Sequence, residues 1–164
     1  MAQDTVPLSV KSVDSIDLAR YAGRWYEVAR FPNRFQNQCV AATTADYELL
    51  PNGEVRVTNA CRKSDGTISR AEGKAKLARR NGPTSQLKVR FAPRILSFLP
   101  MVWGDYWVLD LTAEYTAALV GDPSRKYLWV LSRTPVLDDE VYQRLVESAK
   151  AQGFDVSRLE RSPS

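Results

Sequence analysis

The sequence contains no histidine, and this absence removes much of the familiar chemistry of enzymes. None of the 164 residues is a histidine, so the usual general base, the Ser-His-Asp triad and the commonest transition-metal ligand are all missing. The two cysteines make a poor zinc site without histidine. The composition therefore favours a non-catalytic protein without a bound metal.

Long hydrophobic runs are also scarce, with one exception at residues 94–104, RILSFLPMVWG. The run is too short to span a bilayer as a helix, which takes about 20 residues. Pro100 argues against a central strand or a helix interior. We expect a kinked apolar loop, whose large side chains are Ile95, Leu96, Phe98, Leu99, Met101, Val102 and Trp103.

The first ten residues, MAQDTVPLSV, lack the basic and apolar regions of a signal peptide. If the protein is exported, we expect that a leader has been removed. The net charge is +4, and the excess is spread along the chain except for the cluster Lys74, Lys76, Arg79 and Arg80. Such a cluster favours anionic surfaces such as phospholipid headgroups or nucleic acid, although a solvated basic hairpin is the simpler interpretation.

Short segments of alternating apolar and polar residues predict eight strands joined by tight turns. One hairpin is marked by Asn52-Gly53 and further turns by Asp65-Gly66, Asn81-Gly82-Pro83 and Gly121-Asp122-Pro123. The segments lie at 24–31, 40–50, 54–62, 68–78, 85–92, 105–111, 117–122 and 126–133. Eight meandering strands either pack as two sheets or close into a barrel just wide enough for side chains or one small ligand.

The spacing of apolar residues changes after Pro135 from the alternation of a strand to the spacing of a helix, and this pattern predicts a helix over about 138–152. Asp138 is the expected N-cap and Gly153 the expected stop. The stretch 154–160, FDVSRLE, is expected to add a short ninth strand. No repeat or linker interrupts the chain, so we expect one domain over 1–164 with its strands within about 22–134.

Three stretches in register resemble the signatures of the lipocalin family: GRWYEVARF at 23–31, LDLTAEYTAALVGD at 109–122 and YLWVLSRTP at 127–135. Within the family, FPNRF, GDYWVLDL and LWVLSRTP are most similar to the bacterial outer-membrane lipocalins and, more distantly, to apolipoprotein D. The resemblance implies an all-β fold, an eight-stranded antiparallel up-and-down β-barrel with a C-terminal helix and a short ninth strand.

The signature residues have a structural interpretation. Trp25 would plug the closed end of the barrel, Gly23 would let the backbone pass close by, and the Arg133 guanidinium would lie over the indole of Trp25. Cys39 and Cys61 lie roughly opposite each other across the second and third strands, which favours a disulfide over two half-buried thiols. A disulfide implies an oxidising compartment, and the bacterial likeness then implies the periplasm or the outer membrane.

In each strand, every second side chain is expected to point into the barrel, and these inward-facing residues are expected to line a mostly apolar pocket. In strand six the alternative inward set is Tyr106, Val108 and Asp110. Small residues at 71, 73 and 75 are expected to leave room for a ligand. The predicted lining is Phe35, Tyr47, Val57, Asn59, Ala75, Leu77, Val89, Phe91, Trp107, Leu109 and Trp129.

The topology places the apolar 95–103 loop at the mouth of the barrel. We expect it to form a lid over the pocket and to contact the membrane, and a contact with a second copy in a homodimer is the alternative. A further interpretation is a loop that is simply buried on its own barrel. Arg34, Lys63 or Arg94 would orient a ligand headgroup at the mouth.

The resemblance implies a non-catalytic carrier of a small hydrophobic ligand, a fatty acid or a lysophospholipid, in the bacterial cell envelope, without a cofactor. Bacterial relatives often carry a lipidated N-terminal cysteine, which this sequence lacks, so anchoring stays open. One alternative is a tetrapyrrole or haem binder with Tyr47 as axial ligand. Another is an enzyme using Glu27, Asp46 and Glu72 as acid–base groups. Nucleic-acid binding is disfavoured, since no aromatic and basic face is evident.

Overall fold

A closed barrel of antiparallel strands is the core of the computed structural model, which describes residues 9–33, 36, 38–91 and 104–163. Each strand pairs with its neighbour in sequence, and β1 pairs with both β8 and β2, so the sheet closes on itself. This confirms the predicted eight-stranded barrel. The strands are β1 Gly23–Arg30, β2 Ala41–Leu49, β3 Val55–Arg62, β4 Ile68–Leu77, β5 Gln86–Phe91, β6 Gly104–Leu111, β7 Ala117–Gly121 and β8 Leu128–Ser132.

The two ends of the barrel differ. A short helix, α1 (Leu18–Tyr21), precedes β1 and is capped by the Asp17 side chain, which accepts hydrogen bonds from the backbone N–H groups of Ala19 and Arg20. It covers the closed end, together with the turns that leave β2, β4 and β6. The opposite end is the mouth, where the turns after β3 and β7 lie and where β5 ends and β6 begins.

The C-terminal helix α2 (Asp139–Ala151) lies outside the barrel against β6 and β7. Asp138 caps it, and Leu145 and Ala149 on its inner stripe are fully buried. The prediction of this helix is confirmed. An aliphatic stripe at helical spacing thus packs on a sheet face that would otherwise be exposed.

The ninth strand, β9 (Glu160–Arg161), lies later than the 154–160 expected from the sequence. Phe154 is buried near Phe31, with 6.3 Å between the ring centres, and a 3₁₀ turn over Val156–Arg158 follows it. The aromatic ring is used in packing, so the segment that begins with it does not extend as a strand.

Two apolar cores result, one on each face of the sheet. The outer core lies between the sheet and α2 and includes Val28, Ala29, Phe31, Leu109, Leu119, Leu128, Val130, Leu145, Ala149 and Phe154. The inner core fills the barrel and includes Trp25, Val57, Ala75, Leu87, Val108, Ala118, Val120 and Leu131. No helix in the described ranges is long and apolar enough to cross a membrane.

Candidate ligand-binding site

The closed end of the barrel is sealed around Trp25, whose side chain is fully buried. The Arg133 guanidinium lies 3.9 Å from the centre of the indole ring, in the arrangement that the sequence predicts. Its N–H groups donate to the backbone carbonyls of Arg20, Arg24 and Tyr115 at 2.7, 3.1 and 3.1 Å. One side chain therefore ties α1, β1 and the turn after β6 to the plug.

Gly23 is needed beside this plug. Its φ is +102°, and a Cβ at this position would lie 3.3 Å from a guanidinium nitrogen of Arg133. A larger residue would be strained in its backbone and would press on the cation. Gly23, Trp25 and Arg133 thus form one structural unit.

Above the plug lies a small apolar cavity. Four residues of the predicted lining border it, and six others do so as well. The space between them is about 10 Å³, which holds about one water molecule. The residues are Leu18, Tyr21, Ala22, Tyr47, Val55, Val57, Ala75, Leu87, Val89 and Tyr106. The closed half of the barrel is therefore almost filled by side chains.

Three tyrosine hydroxyls meet in this closed half. The Tyr106 hydroxyl lies 2.7 Å from that of Tyr21 and 2.9 Å from that of Tyr47. Two hydrogen bonds use two of the three hydroxyl protons, so one proton remains that can be donated to a polar atom of a ligand. We call Tyr21, Tyr47 and Tyr106 the tyrosine trio.

The tyrosine trio is uncharged at physiological pH. Burial raises the pKa of Tyr21 and Tyr106 well above the ordinary value, and it raises the pKa of Tyr47 to about 12. Neutral phenols donate hydrogen bonds, whereas iron ligation by tyrosine needs the phenolate. The hydrogen bond to Tyr106 and the raised pKa argue against Tyr47 as a haem ligand.

The prediction for strand β6 was wrong: Trp107 and Leu109 do not face the barrel interior. Tyr106 is paired with Leu87 and faces inward, so Trp107 points out. Trp107 and Leu109 both pack on the outer core beside α2. Apolar residues occupy both faces of β6 because α2 covers its outer face, and the alternation seen in other strands is lost.

Most of the remaining predicted lining lies between the trio and the mouth. Leu77, the last residue of β4, is an exception and packs on the inner core at the closed end. Asn59 shares the inward face of β3 with Val57 by strand alternation. Trp129 packs on the inner core and donates its indole N–H to the Gln36 side-chain oxygen at 2.9 Å. Phe91 lies at the mouth with 36% of its surface exposed.

Gly73 does not simply leave room for a ligand, as the sequence suggested. A Cβ at Gly73 would come within 2.4 Å of the Arg90 carbonyl oxygen and 2.8 Å of the Phe91 ring. The absence of a side chain here allows β4 and β5 to approach each other. Of the neighbouring small residues, Ala75 is buried in the inner core and Ala71 is exposed.

A buried carboxylate, Glu27, organises the mouth half of the barrel. Its oxygens accept hydrogen bonds from Gln36 at 2.9 Å and from Ser162 at 2.5 Å, and they pair with the Arg30 guanidinium at 3.3 Å. Burial raises the pKa of Glu27, although these three partners act in the opposite direction. Arg30 also donates to the backbone carbonyls of Gln36 and Cys39, at 3.2 Å each.

The three carboxylates considered for catalysis are kept apart. Glu27 lies inside the barrel, whereas Asp46 pairs with Arg24 at 2.9 Å and Glu72 pairs with Arg56 at 3.3 Å. No cluster of metal-ligating side chains occurs among the described residues. The geometry offers no pair of facing acid and base groups from this set.

The mouth is held by the disulfide between Cys39 and Cys61, which confirms the predicted pairing. Lys63 begins the turn after β3 at this end and is half-buried. Of the other predicted mouth residues, Arg34, Phe35, Arg94 and the 95–103 loop lie outside the described residues. The turn after β4, which carries Arg79 and Arg80, lies at the opposite, closed end.

Comparison with known proteins agrees with the geometry. A family model described as a lipocalin-like domain matches residues 16–164. Temperature-induced lipocalin-1 of Arabidopsis thaliana is 44% identical over 152 residues, covering 92% of this chain and 81% of that protein. Outer membrane lipoprotein Blc of Escherichia coli K12 is 42% identical over 157 residues, covering 94% and 83%. Rat apolipoprotein D is 29% identical over 153 residues, covering 89% and 76%.

Solved structures show the same fold at lower sequence identity. Insecticyanin from the tobacco hornworm Manduca sexta superposes with a TM-score of 0.76 at 24% identity, covering 94% of this chain and 84% of that one. Lobster apocrustacyanin A1 gives a TM-score of 0.69 at 17% identity, covering 98% and 93%. With its closed barrel, its tryptophan plug and these relatives, the chain belongs to the lipocalin family, whose members are generally binding proteins.

Proposed function

We propose that this protein binds one fatty acid or lysophospholipid in its barrel and carries it within the bacterial cell envelope. The observation that carries the proposal is an interior lined by apolar side chains with a few placed polar groups, the usual composition of a lipid pocket. Outer membrane lipoproteins of Escherichia coli and Vibrio cholerae are among its relatives, at 42% and 38% identity. The disulfide is consistent with an oxidising compartment.

The position of the ligand follows from the packing. Because the closed half is filled, the acyl chain would lie between the tyrosine trio and the mouth, along Asn59, Phe91 and Trp129. The hydroxyl proton that the trio does not use internally would be donated to a polar atom at the inner end of the ligand. A headgroup at the mouth would meet Lys63, together with Arg34 and Arg94.

Tryptophan fluorescence tests this binding. The protein is titrated with a lysophospholipid, the matching fatty acid and a tetrapyrrole. Saturable change with an acyl ligand is expected, and it should be lost in Trp129→Phe. Trp107→Phe is the matched control, because Trp107 lies outside the barrel and its removal should leave the response in place. Quenching by the tetrapyrrole alone would refute the lipid proposal.

The 95–103 loop is proposed to contact the membrane. It connects Phe91 to Gly104, and both ends lie at the mouth. Each large apolar side chain that enters the lipid contributes about 1.5–3 kcal/mol. Phe98→Ser with Leu99→Ser should reduce binding to lipid vesicles and leave ligand titration unchanged. A concentration-dependent dimer that the same variant abolishes would instead assign the loop to contact with a second copy.

A further inference from the structure

The excess positive charge of the chain is concentrated in one segment of the barrel. Segment 55–91 contains ten Lys and Arg but only two Asp and Glu, a net charge of +8. The rest of the chain holds thirteen basic and seventeen acidic residues, a net charge of −4. The modest overall charge of +4 thus hides a strong asymmetry.

This charge stands on the outer surface of strands β3, β4 and β5. The inward side chains of these strands are apolar or small, so alternation sends the charged ones outward. We call the outward residues the basic face. Its only acidic member is Glu72, and its basic members are Arg56, Arg62, Arg70, Lys74, Lys76, Lys88 and Arg90.

Strand pairing places like charges directly opposite each other. Lys74 on β4 is paired with Arg56 on one side and with Arg90 on the other, and Lys76 is paired with Lys88. Like charges directly opposite in an antiparallel sheet are destabilising. An anionic surface laid against β4 would relieve this repulsion.

Two acidic partners lie on strands that flank the basic face: Arg56 pairs with Glu48 of β2 at 2.7 Å, and Lys88 pairs with Asp105 of β6 at 2.6 Å. Glu72, on the face itself, also pairs with Arg56, at 3.3 Å. Arg70 and Lys74 are exposed and form no ion pair with any residue of the described chain. The centre of the face therefore has positive charge to offer to an external partner.

The surroundings of the basic face favour a membrane over a nucleic acid. No aromatic residue lies on the outward side of β3, β4 or β5 to stack on bases. At the mouth end of the face, Ile68 is 53% exposed and Phe91 36% exposed. Basic residues bordered by exposed apolar ones are typical of a surface that rests on lipid headgroups.

We propose that the basic face docks this lipocalin sideways on an anionic phospholipid surface, with the mouth turned toward the lipid. In naming a membrane as partner, this inference rests on the proposed function. It adds a contact through the outer surface of the sheet, which is separate from the contact proposed for the 95–103 loop. The charge would hold the protein where a lipid can enter or leave the barrel.

Vesicle co-sedimentation of the ligand-free protein tests the docking. Vesicles of phosphatidylcholine with phosphatidylglycerol should bind the protein, and vesicles of phosphatidylcholine alone should bind it far less. Arg62→Gln, Arg70→Gln and Lys74→Gln together should weaken binding roughly a hundredfold, because each basic residue near an anionic surface contributes about 1 kcal/mol and 1.4 kcal/mol is tenfold. Raising the salt concentration should weaken binding of the wild type.

The matched control removes three exposed charges away from the basic face, in Lys11→Gln, Arg144→Gln and Lys150→Gln. This variant has the same net charge as the first triple variant, yet it should bind vesicles nearly as tightly as the wild type does. Equal loss in both triple variants would overturn the proposal, as would tighter binding of a single-stranded oligonucleotide than of anionic vesicles. Fluorescence titration separates the two ideas, since loss of ligand binding alone overturns only the carrier function.

Discussion

Replacing Tyr106 with phenylalanine should destabilise the fold more than the same change at either of its partners. The Tyr106 hydroxyl is the middle member of the tyrosine trio, at 2.7 and 2.9 Å from the other two. Its removal breaks both hydrogen bonds and leaves the hydroxyls of Tyr21 and Tyr47 buried without a protein partner. Tyr21→Phe or Tyr47→Phe breaks only one, and the remaining two hydroxyls still pair.

The magnitudes follow from the cost of a buried unsatisfied group. Two orphaned hydroxyls at about 1–3 kcal/mol each give a loss of about 2–6 kcal/mol for Tyr106→Phe. A single hydrogen bond lost at the edge of the trio costs about 1 kcal/mol. The ring and its packing are kept in all three variants, so the comparison isolates the hydroxyl.

Urea unfolding of the three variants and the wild type measures these differences. The midpoints should fall in the order wild type, then the two edge variants, then Tyr106→Phe, with an unchanged m-value that shows an unchanged exposed surface on unfolding. Equal midpoints for the three variants would refute the shared-hydroxyl geometry. So would a Tyr106→Phe protein as stable as the wild type.

Three further predictions concern the disulfide and the buried ionisable groups. Cys39→Ser with Cys61→Ser opens a link across 22 residues and should cost about 3 kcal/mol, or roughly 6–12 °C in Tm by calorimetry, and a change below 2 °C would contradict this. The pKa values of the tyrosine trio are higher in the folded state than in the unfolded chain, so the free energy of unfolding should fall as the pH rises above about 10. Urea unfolding at a series of pH values measures this fall, which should be shallower in a variant that lacks the three hydroxyls. The raised pKa of Glu27 should make the free energy of unfolding decline as the pH rises above the pKa of this carboxyl in the unfolded chain, since the folded state keeps its proton to a higher pH. Glu27→Gln should remove that slope, and an identical slope in the variant would assign the effect elsewhere.

Most of the barrel could be predicted from the sequence because its strands have one face in the core and one in water. The Asn52-Gly53 turn sets the register of β2 and β3. It thereby brings the segment just before β2, which carries Cys39, close to the end of β3, which carries Cys61. The contact of Arg133 with Trp25 was predictable because residues 129, 131 and 133 share one face of the strand. These are local rules acting over a few residues.

The failures occur where a second layer covers the sheet. β6 carries apolar residues on both faces, and only the position of α2 shows that Trp107 belongs to the outer core and Tyr106 to the inner one. Phe154 likewise joins the outer core and displaces the expected strand. The hydrogen bond from Ser162 to Glu27 joins residues 135 positions apart, and no local pattern predicts it.

The pairing of β1 has a consequence for the folding kinetics of the chain. The first strand to be synthesised pairs with β8 through Tyr26 and Ser132, and with β9 through Arg30 and Glu160. Contacts of such long sequence separation make a chain fold slowly, in milliseconds to seconds for all-β domains. The barrel cannot close until β8 is available to pair with β1, so the nascent chain stays open until Ser132 has been synthesised.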